Sequence, residues 1–179
     1  MNIKMLNKAI FLDRDGVINQ KAAEHEYITT WEDFHFLPNV LKALEKISKT
    51  EYTIIIVSNQ RGISRGKMSK VDLDHIHKNM IKEIKKYGGR IDKIYYCPHG
   101  YDECKCRKPL PGMLDTAKSN HSLCLEDSWI IGDSSSDIHA GKARKCKTIY
   151  IGEKDDVVAL SDYSVKSLDE AVNVILQDH

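Results

Sequence analysis

The chain has no apolar stretch long enough to span a bilayer, and its first eight residues, Met1 to Lys8, lack the apolar core of a secretory signal. Both absences lead us to expect a cytoplasmic protein with no membrane partner. It also lacks charge of one sign: 27 Lys and Arg against 26 Asp and Glu leave a net charge of +1. No global pull toward nucleic acid or anionic lipid follows, so any anion must be recognised locally. Internal repeats and low-complexity linkers are missing as well. With 179 residues, 41% hydrophobic and 30% charged, the chain fits one domain, 1–179, able to bury a core without cross-links. The five cysteines do not make a disulfide framework, because three of them crowd into ten positions; that suits a metal site better.

What the chain does contain is organised around Ala9-Ile10-Phe11-Leu12-Asp13-Arg14-Asp15-Gly16. Four apolar residues read as a buried strand that stops at two carboxylates one residue apart, followed by a glycine that lets the chain turn. Alternate residues of an extended segment point the same way, so Asp13 and Asp15 can face one site beyond the strand end. Two anions that close repel unless a cation or a shared proton separates them.

From Val17 to Phe36 the sequence is polar with a few aromatics and reads as a long, partly structured loop beside these carboxylates. Pro38 suits the first turn of a helix whose apolar face is Val40, Leu41, Leu44 and Ile47. Thr53 to Val57 is a β-branched strand ending in Ser58-Asn59-Gln60-Arg61-Gly62. Ser69 and Asp72 form a capping box for a helix that stops at Gly88-Gly89. Ile91 to Tyr96 is a third strand, running into the cysteine-rich loop and Arg107-Lys108-Pro109. A short helix spans Gly112 to Ser119. Trp129 to Ile131 is the fourth strand, ending in Gly132-Asp133-Ser134-Ser135-Ser136-Asp137, and Thr148 to Ile151 the fifth. Ser167 and Glu170 cap a last helix burying Leu168, Ala171, Val172, Ile175 and Leu176.

Strands alternating with helices imply an α/β fold: a Rossmann-like three-layer sandwich around a mainly parallel sheet. Ligands of such sheets sit at the carboxyl ends of the strands, where all four polar clusters fall. Asp13, Asp15 and Asp133 need a hard cation to coexist, and Mg²⁺ is the natural choice. Lys108 and the Ser58 hydroxyl add a positive charge and a donor. Carboxylates, a divalent cation and a lysine around one pocket suit phosphoryl transfer, which is mostly positioning and charge neutralisation. Cys97, His99, Cys104 and Cys106, within a loop at 97–106, supply three thiolates and an imidazole, a complete tetrahedral set as in structural zinc sites. Zn²⁺ there would stiffen a loop with little apolar content and aim Arg107 at the pocket.

The four clusters, in this order, resemble the four motifs of the haloacid dehalogenase superfamily of phosphatases, over about Lys8 to Ile151. The resemblance implies Asp13 as nucleophile, Asp15 as general acid and base, and Ser58 and Lys108 as holders of the transferring phosphoryl. It places Mg²⁺ on the Asp13 carboxylate, the Asp15 carbonyl and Asp133, with Asp137 in support. The zinc loop resembles the one shared by the D-glycero-D-manno-heptose 1,7-bisphosphate phosphatases and the related histidinol-phosphate phosphatases, and the stretch Asn59-Gln60-Arg61-Gly62-Ile63-Ser64-Arg65-Gly66 resembles the heptose enzymes more than the histidinol branch. That implies removal of the 7-phosphate through an aspartyl-phosphate, on the route to nucleotide-activated heptose, with Asn59, Gln60, Arg61 and Arg107 as substrate contacts. Histidinol phosphate and DNA 3′-phosphate are the rival substrates; the near-neutral charge speaks against nucleic acid. Only 44 residues separate Asp13 from Ser58 and 49 separate Ser58 from Lys108, leaving no room for a separate cap domain. An open site suits a small phosphorylated sugar that brings a second anion, with Arg61, Arg65 and Arg107 available to hold it. A monomer is expected. Three positions depart from the family pattern: the loop between Asn19 and Tyr27 is longer, Ser134 replaces a lysine, and Lys145 stands where glycine is usual.

Overall fold

A computed structural model describes residues 6–178; the segment Met1 to Lys8 on which the signal reading rests lies mostly outside them. Six strands form one sheet in the order β3-β2-β1-β4-β5-β6, every neighbouring pair parallel. They are β1 (Ala9–Leu12), β2 (Thr53–Asn59), β3 (Lys93–Cys97), β4 (Trp129–Gly132), β5 (Lys147–Ile151) and β6 (Tyr163–Val165). The helices between them are α1 (Val40–Ser48), α2 (Lys70–Lys86), α3 (Gly112–His121), α4 (Ser135–Lys142), α5 (Asp155–Leu160) and α6 (Leu168–Gln177).

Side-chain alternation along the central strands explains why the sheet is covered twice. Ile10, Leu12, Ile54, Ile56 and Ile131 pack with residues of α1, α2 and α6. Their neighbours Ala9, Phe11, Ile55, Val57 and Ile130 face the other way and pack with Met113, Leu114 and Ala117 of α3. Strands buried on both faces must be continuously apolar, as these are. On the α3 side α4 lies so close to the sheet that a Cβ at Gly141 would stand 2.3 Å from Ile130 Cγ2. The strand order reverses between β1 and β4, which places the crevice beyond their carboxyl ends, where ligands of such sheets bind. Among the described residues nothing forms a separate cap domain.

The long loop is held in place by side chains that join the main core. Val17 and Ile18 are fully buried, and Trp31 stacks on Phe34 at 5.0 Å while Phe36 meets Phe34 edge-on at 5.1 Å. Backbone bridges from Asn19 to Asp15 and to Phe36 fix it beside the end of β1.

Several boundaries differ from the sequence reading. α1 starts at Val40, after Pro38, because Asn39 takes a left-handed conformation (φ 61°) and its carbonyl accepts from Ala43 N at 2.9 Å; Asn tolerates that conformation better than most residues. β3 begins at Lys93, since the Asp92 carboxylate takes the hydrogen bond of Ile54 N. The cap of α6 is half a box: Ser167 Oγ accepts from Glu170 N, but the Glu170 carboxylate accepts from Lys166 N. Leu176 is 39% exposed rather than buried. β6 and α5 went unread because each is short and mostly exposed, with no apolar period to give it away.

Lys145, by contrast, sits as its sequence position suggests, at φ 57° in the turn after α4. A side chain pays roughly 1–2 kcal/mol in that conformation. Its ion pair with Glu126 joins two largely exposed side chains and contributes little. Lys145→Gly should therefore raise stability by about 1 kcal/mol in urea denaturation; an unchanged midpoint would show that the turn carries no strain.

Candidate active site

Asp13 follows β1 directly, its amide donating to Ile131 O of β4 at 2.9 Å, so its side chain stands over the crevice. Lys108 reaches it from the loop after β3: Nζ lies 3.0 Å from Asp13 Oδ1, donates to Val57 O at 2.7 Å and contacts the Asp137 carboxylate. The ammonium is thus wholly inside the protein, Lys108 being 3% exposed and Asp137 not exposed at all. Asn59 locks the lysine backbone through a reciprocal pair, its Nδ2 donating to Lys108 O at 3.0 Å and its Oδ1 accepting from Lys108 N at 3.1 Å.

Asp133 and Asp137 descend from β4 into the first turn of α4. Asp137 accepts from Ser134 N and Ser134 Oγ, a capping box that fixes its carboxylate at the helix start. Asp133 lies over Gly16, where a Cβ would stand 1.9 Å from Asp133 Oδ2, and Gly16 itself has φ 91°. Glycine is required there twice, for the turn and for the carboxylate. Lys21, from the loop, meets Asp133 Oδ2, while Asp133 Oδ1 is buried with no hydrogen-bond partner.

Asp15 is held differently. Arg14 donates to both its oxygens, at 2.8 and 3.0 Å, Asn19 to Oδ1 at 2.9 Å and Gln60 to Oδ2 at 2.8 Å. Gln60 also donates to Ser58 Oγ at 2.7 Å, which ties the second polar cluster to the first. Arg14 is fully buried, 5.9 Å from the Phe34 ring centre and 3.4 Å from His77 Nε2. Burial pushes His77 down to about 3, with the Arg14 charge adding to it, so a neutral imidazole backs the guanidinium.

The electrostatics follow from these contacts. Burial pushes the Asp13 carboxyl up to about 7; Lys108 opposes, and the other three carboxylates add to the rise. Burial also raises Asp133, against Lys21. For Asp15 burial is outweighed by Arg14 and the hydrogen bonds of Asn19 and Gln60, which hold it below the usual range. Lys108 and Lys21 are both raised: burial opposes, but the carboxylates around each prevail.

Asp13, Asp15, Ser58, Asn59, Lys108 and Asp133 line one cleft of about 180 Å³ together with Lys21, Ser134 and Ser136. It adjoins a second of about 200 Å³, which shares Asp15, Lys21 and Asn59 and adds Gln60, Glu26 and Tyr27. Arg61 and Arg107 each fall one residue outside this lining, next to Gln60 and Lys108. Sequence reasoning assigned no role to Arg14, Lys21 or His77. Nothing local marks Arg14 or Lys21, and only the spacing of His77 with Leu73, Met80 and Ile84 on one helix face hints at its burial.

Asp13, Asp133 and Asp137 can each offer an oxygen within 4.8 Å of the others. Three carboxylates, one with an unpartnered buried oxygen, fit a hard cation such as Mg²⁺. At the carboxyl end of β3, Cys97, His99, Cys104 and Cys106 also gather within 4.8 Å. Their ligand atoms stand 3.5 Å (Cys97–Cys104), 3.3 Å (Cys104–Cys106), 3.6 Å (Cys97–His99) and 3.4 Å (Cys106–His99) apart. A zinc tetrahedron with Zn–S near 2.3 Å has edges of about 3.7 Å, so the set fits that ion.

Comparison with known proteins decides the family. Residues 8–166 match the family model described as polynucleotide kinase 3 phosphatase. The chain belongs to that family. Within it, the chain is similar to D-glycero-beta-D-manno-heptose-1,7-bisphosphate 7-phosphatase of Pseudomonas putida, 39% identical over 76% of this chain and 77% of the relative. It is likewise similar to the alpha-anomer enzyme of Campylobacter jejuni, 37% identical over 94% and 96%. The D,D-heptose 1,7-bisphosphate phosphatase of B. bronchiseptica, solved with magnesium and phosphate, superposes with a TM-score of 0.88 at 30% identity, covering 96% of this chain and 99% of that one. The fold is that of the haloacid dehalogenase superfamily, and the protein is a phosphoric monoester hydrolase.

The Arg14–Asp15 pair generates a prediction of its own. Removing one member of a buried ion pair leaves the other charge uncompensated, at about 3–5 kcal/mol. Arg14→Met should lower stability by that order in chemical denaturation, and adding Asp15→Asn should recover most of the loss. Strictly additive losses in the double variant would mean that the pair is not coupled.

Proposed function

We propose that the chain removes the 7-phosphate of D-glycero-D-manno-heptose 1,7-bisphosphate, with Asp13 as nucleophile. The observation that carries this reading is the buried contact of Lys108 with Asp13 and Asp137 beside Asp133, in a cleft of about 180 Å³. The curated relatives named for this substrate support the choice of sugar, and both anomers occur among them.

In the proposed reaction an Asp13 oxygen attacks phosphorus while the bond from phosphorus to the sugar oxygen breaks. The charge of Lys108 offsets that of the phosphoryl group, and the Ser58 hydroxyl orients its oxygens. Asp15 gives its proton to the departing alkoxide, then takes one from the water whose oxygen attacks the aspartyl-phosphate, releasing phosphate and restoring Asp13. The grip of Arg14, Asn19 and Gln60 favours the ionised, proton-accepting form of Asp15; an entering phosphate dianion favours the protonated one. Mg²⁺, held by Asp13, Asp133 and the Asp15 carbonyl, with Asp137 in support, would offset the charge of the phosphoryl group as it transfers. Gln60 and Asn59 face the adjoining cleft, where the sugar would lie. Four site carboxylates face three cations, Lys108, Lys21 and Arg14, a balance that leaves room for a divalent ion.

Asp13→Asn should abolish turnover of the heptose bisphosphate with the circular dichroism spectrum unchanged; retained activity would remove Asp13 from the nucleophile role. A panel of both heptose anomers, histidinol phosphate and a 3′-phosphorylated oligonucleotide tests the substrate. The heptose bisphosphate should lead in kcat/KM by more than about tenfold, beyond the difference that one weak contact supplies. A lead for the oligonucleotide would favour the activity in the family's description.

Zn²⁺ in the Cys97, His99, Cys104 and Cys106 set would have a structural role. Purified protein should release one zinc per chain on thiol modification, and Cys104→Ser should lose the metal and lower the melting temperature. Full stability in a metal-free Cys104→Ser protein would deny the ion that role.

A further inference from the structure

Tyr101 stands in the cysteine loop between His99 and Cys104 with 62% of its surface exposed. An exposed ring gains little from burial, yet this one has two charged neighbours. The Arg61 guanidinium carbon lies 4.0 Å from its centre and that of Arg107 lies 4.6 Å away, inside the range where the face of an aromatic ring attracts a cation. Arg61 comes from the turn after β2 and Arg107 directly precedes Lys108, so one ring joins two separate segments at the rim of the cleft.

The arginines are otherwise uncommitted. Arg107 donates one long bond, 3.4 Å, to His99 O. Both Nε atoms are buried without a hydrogen-bond partner, and among the described residues no carboxylate pairs with either guanidinium. Two like charges drawn to one ring repel each other. The ring offsets part of that repulsion, and an anion reaching both would offset far more. Arg61 and Arg107 are next in sequence to Gln60 and Lys108, which line the two adjoining clefts.

We propose that Tyr101 is a positioning residue, its ring holding Arg61 and Arg107 as a pair of guanidinium forks for the second, non-reacting phosphate of the substrate. The inference rests on the bisphosphate reading for the ligand, but not for the ring's effect on the arginines. It also gives the cysteine loop a part in substrate affinity that none of its four ligand residues supplies.

Steady-state kinetics and arginine Nε–Hε spectra of wild type, Tyr101→Ala and Tyr101→Phe test it. With heptose 1,7-bisphosphate, Tyr101→Ala should raise KM about 5- to 10-fold, the scale of two partly exposed cation–ring contacts, with kcat held within twofold. Tyr101→Phe should restore KM, because the ring and not its hydroxyl does the holding. A matching rise in KM for p-nitrophenyl phosphate, which has no second anion, would mean general damage and overturn the proposal, as would an unmoved KM in Tyr101→Ala. In the spectra, the Nε–Hε signals of Arg61 and Arg107 should carry an upfield ring-current shift that Tyr101→Ala removes and Tyr101→Phe keeps. Signals indifferent to Tyr101→Ala would overturn the positioning role whatever the substrate. Signals that move as stated in a protein that leaves the heptose bisphosphate intact would reject that substrate and keep the role of the ring.

Discussion

Lys108 carries its charge where water does not follow. Its ammonium, 3% exposed, is held by Asp13, Asp137 and the Val57 carbonyl. Desolvating an ammonium costs several kcal/mol unless its hydrogen-bonding directions are filled, and here three acceptors fill all three. Each acceptor comes from a different strand end: Asp13 after β1, Val57 in β2 and Asp137 beyond β4. The lysine can be satisfied only if the parallel register and the α4 cap are both right, so the packing of the sheet and the geometry of the cleft are one requirement. The same contacts leave Asp13 with one oxygen on the lysine and the rest of the carboxylate facing the cleft.

Around this centre the chain separates two carboxylates that are neighbours in sequence. Burial raises the proton affinity of Asp13, whereas Arg14, Asn19 and Gln60 lower that of Asp15. Pushing a pair of acids apart in this way is how one site assigns them different tasks. The device depends on Arg14, which sits between the two in sequence yet points into the protein, where Phe34 and a neutral His77 enclose it. The aromatic cluster of Trp31, Phe34 and Phe36 therefore acts on the chemistry at one remove, by fixing the loop that buries the guanidinium.

How far all this could be read from the residues divides along physical lines. The strands and the acids at their ends were legible, because a β-branched run that stops at Ser58 or Asp133 can hardly be other than a buried strand meeting its polar edge. The cysteine cluster was legible too, since four ligands in ten positions must come together. Arg14, Lys21 and His77 were not. A charged or titratable side chain carries no local mark of burial; which of them turns inward is decided by elements distant in sequence, as α2 brings His77 to Arg14. β6 escaped for the opposite reason, since an edge strand of three residues with Tyr163 and Ser164 exposed has no apolar alternation to detect.

Ser134 and Lys21 divide two tasks around Asp133. Ser134 follows Asp133 directly, and its side chain caps α4 and fixes Asp137. The positive charge beside Asp133 comes from Lys21, carried by the loop between Asn19 and Tyr27. A lysine on a half-exposed loop side chain can withdraw, whereas one in the first turn of α4 would sit at the positive end of the helix dipole. Charge placed on the loop can therefore yield to a cation at Asp133 or turn to a phosphate in the cleft.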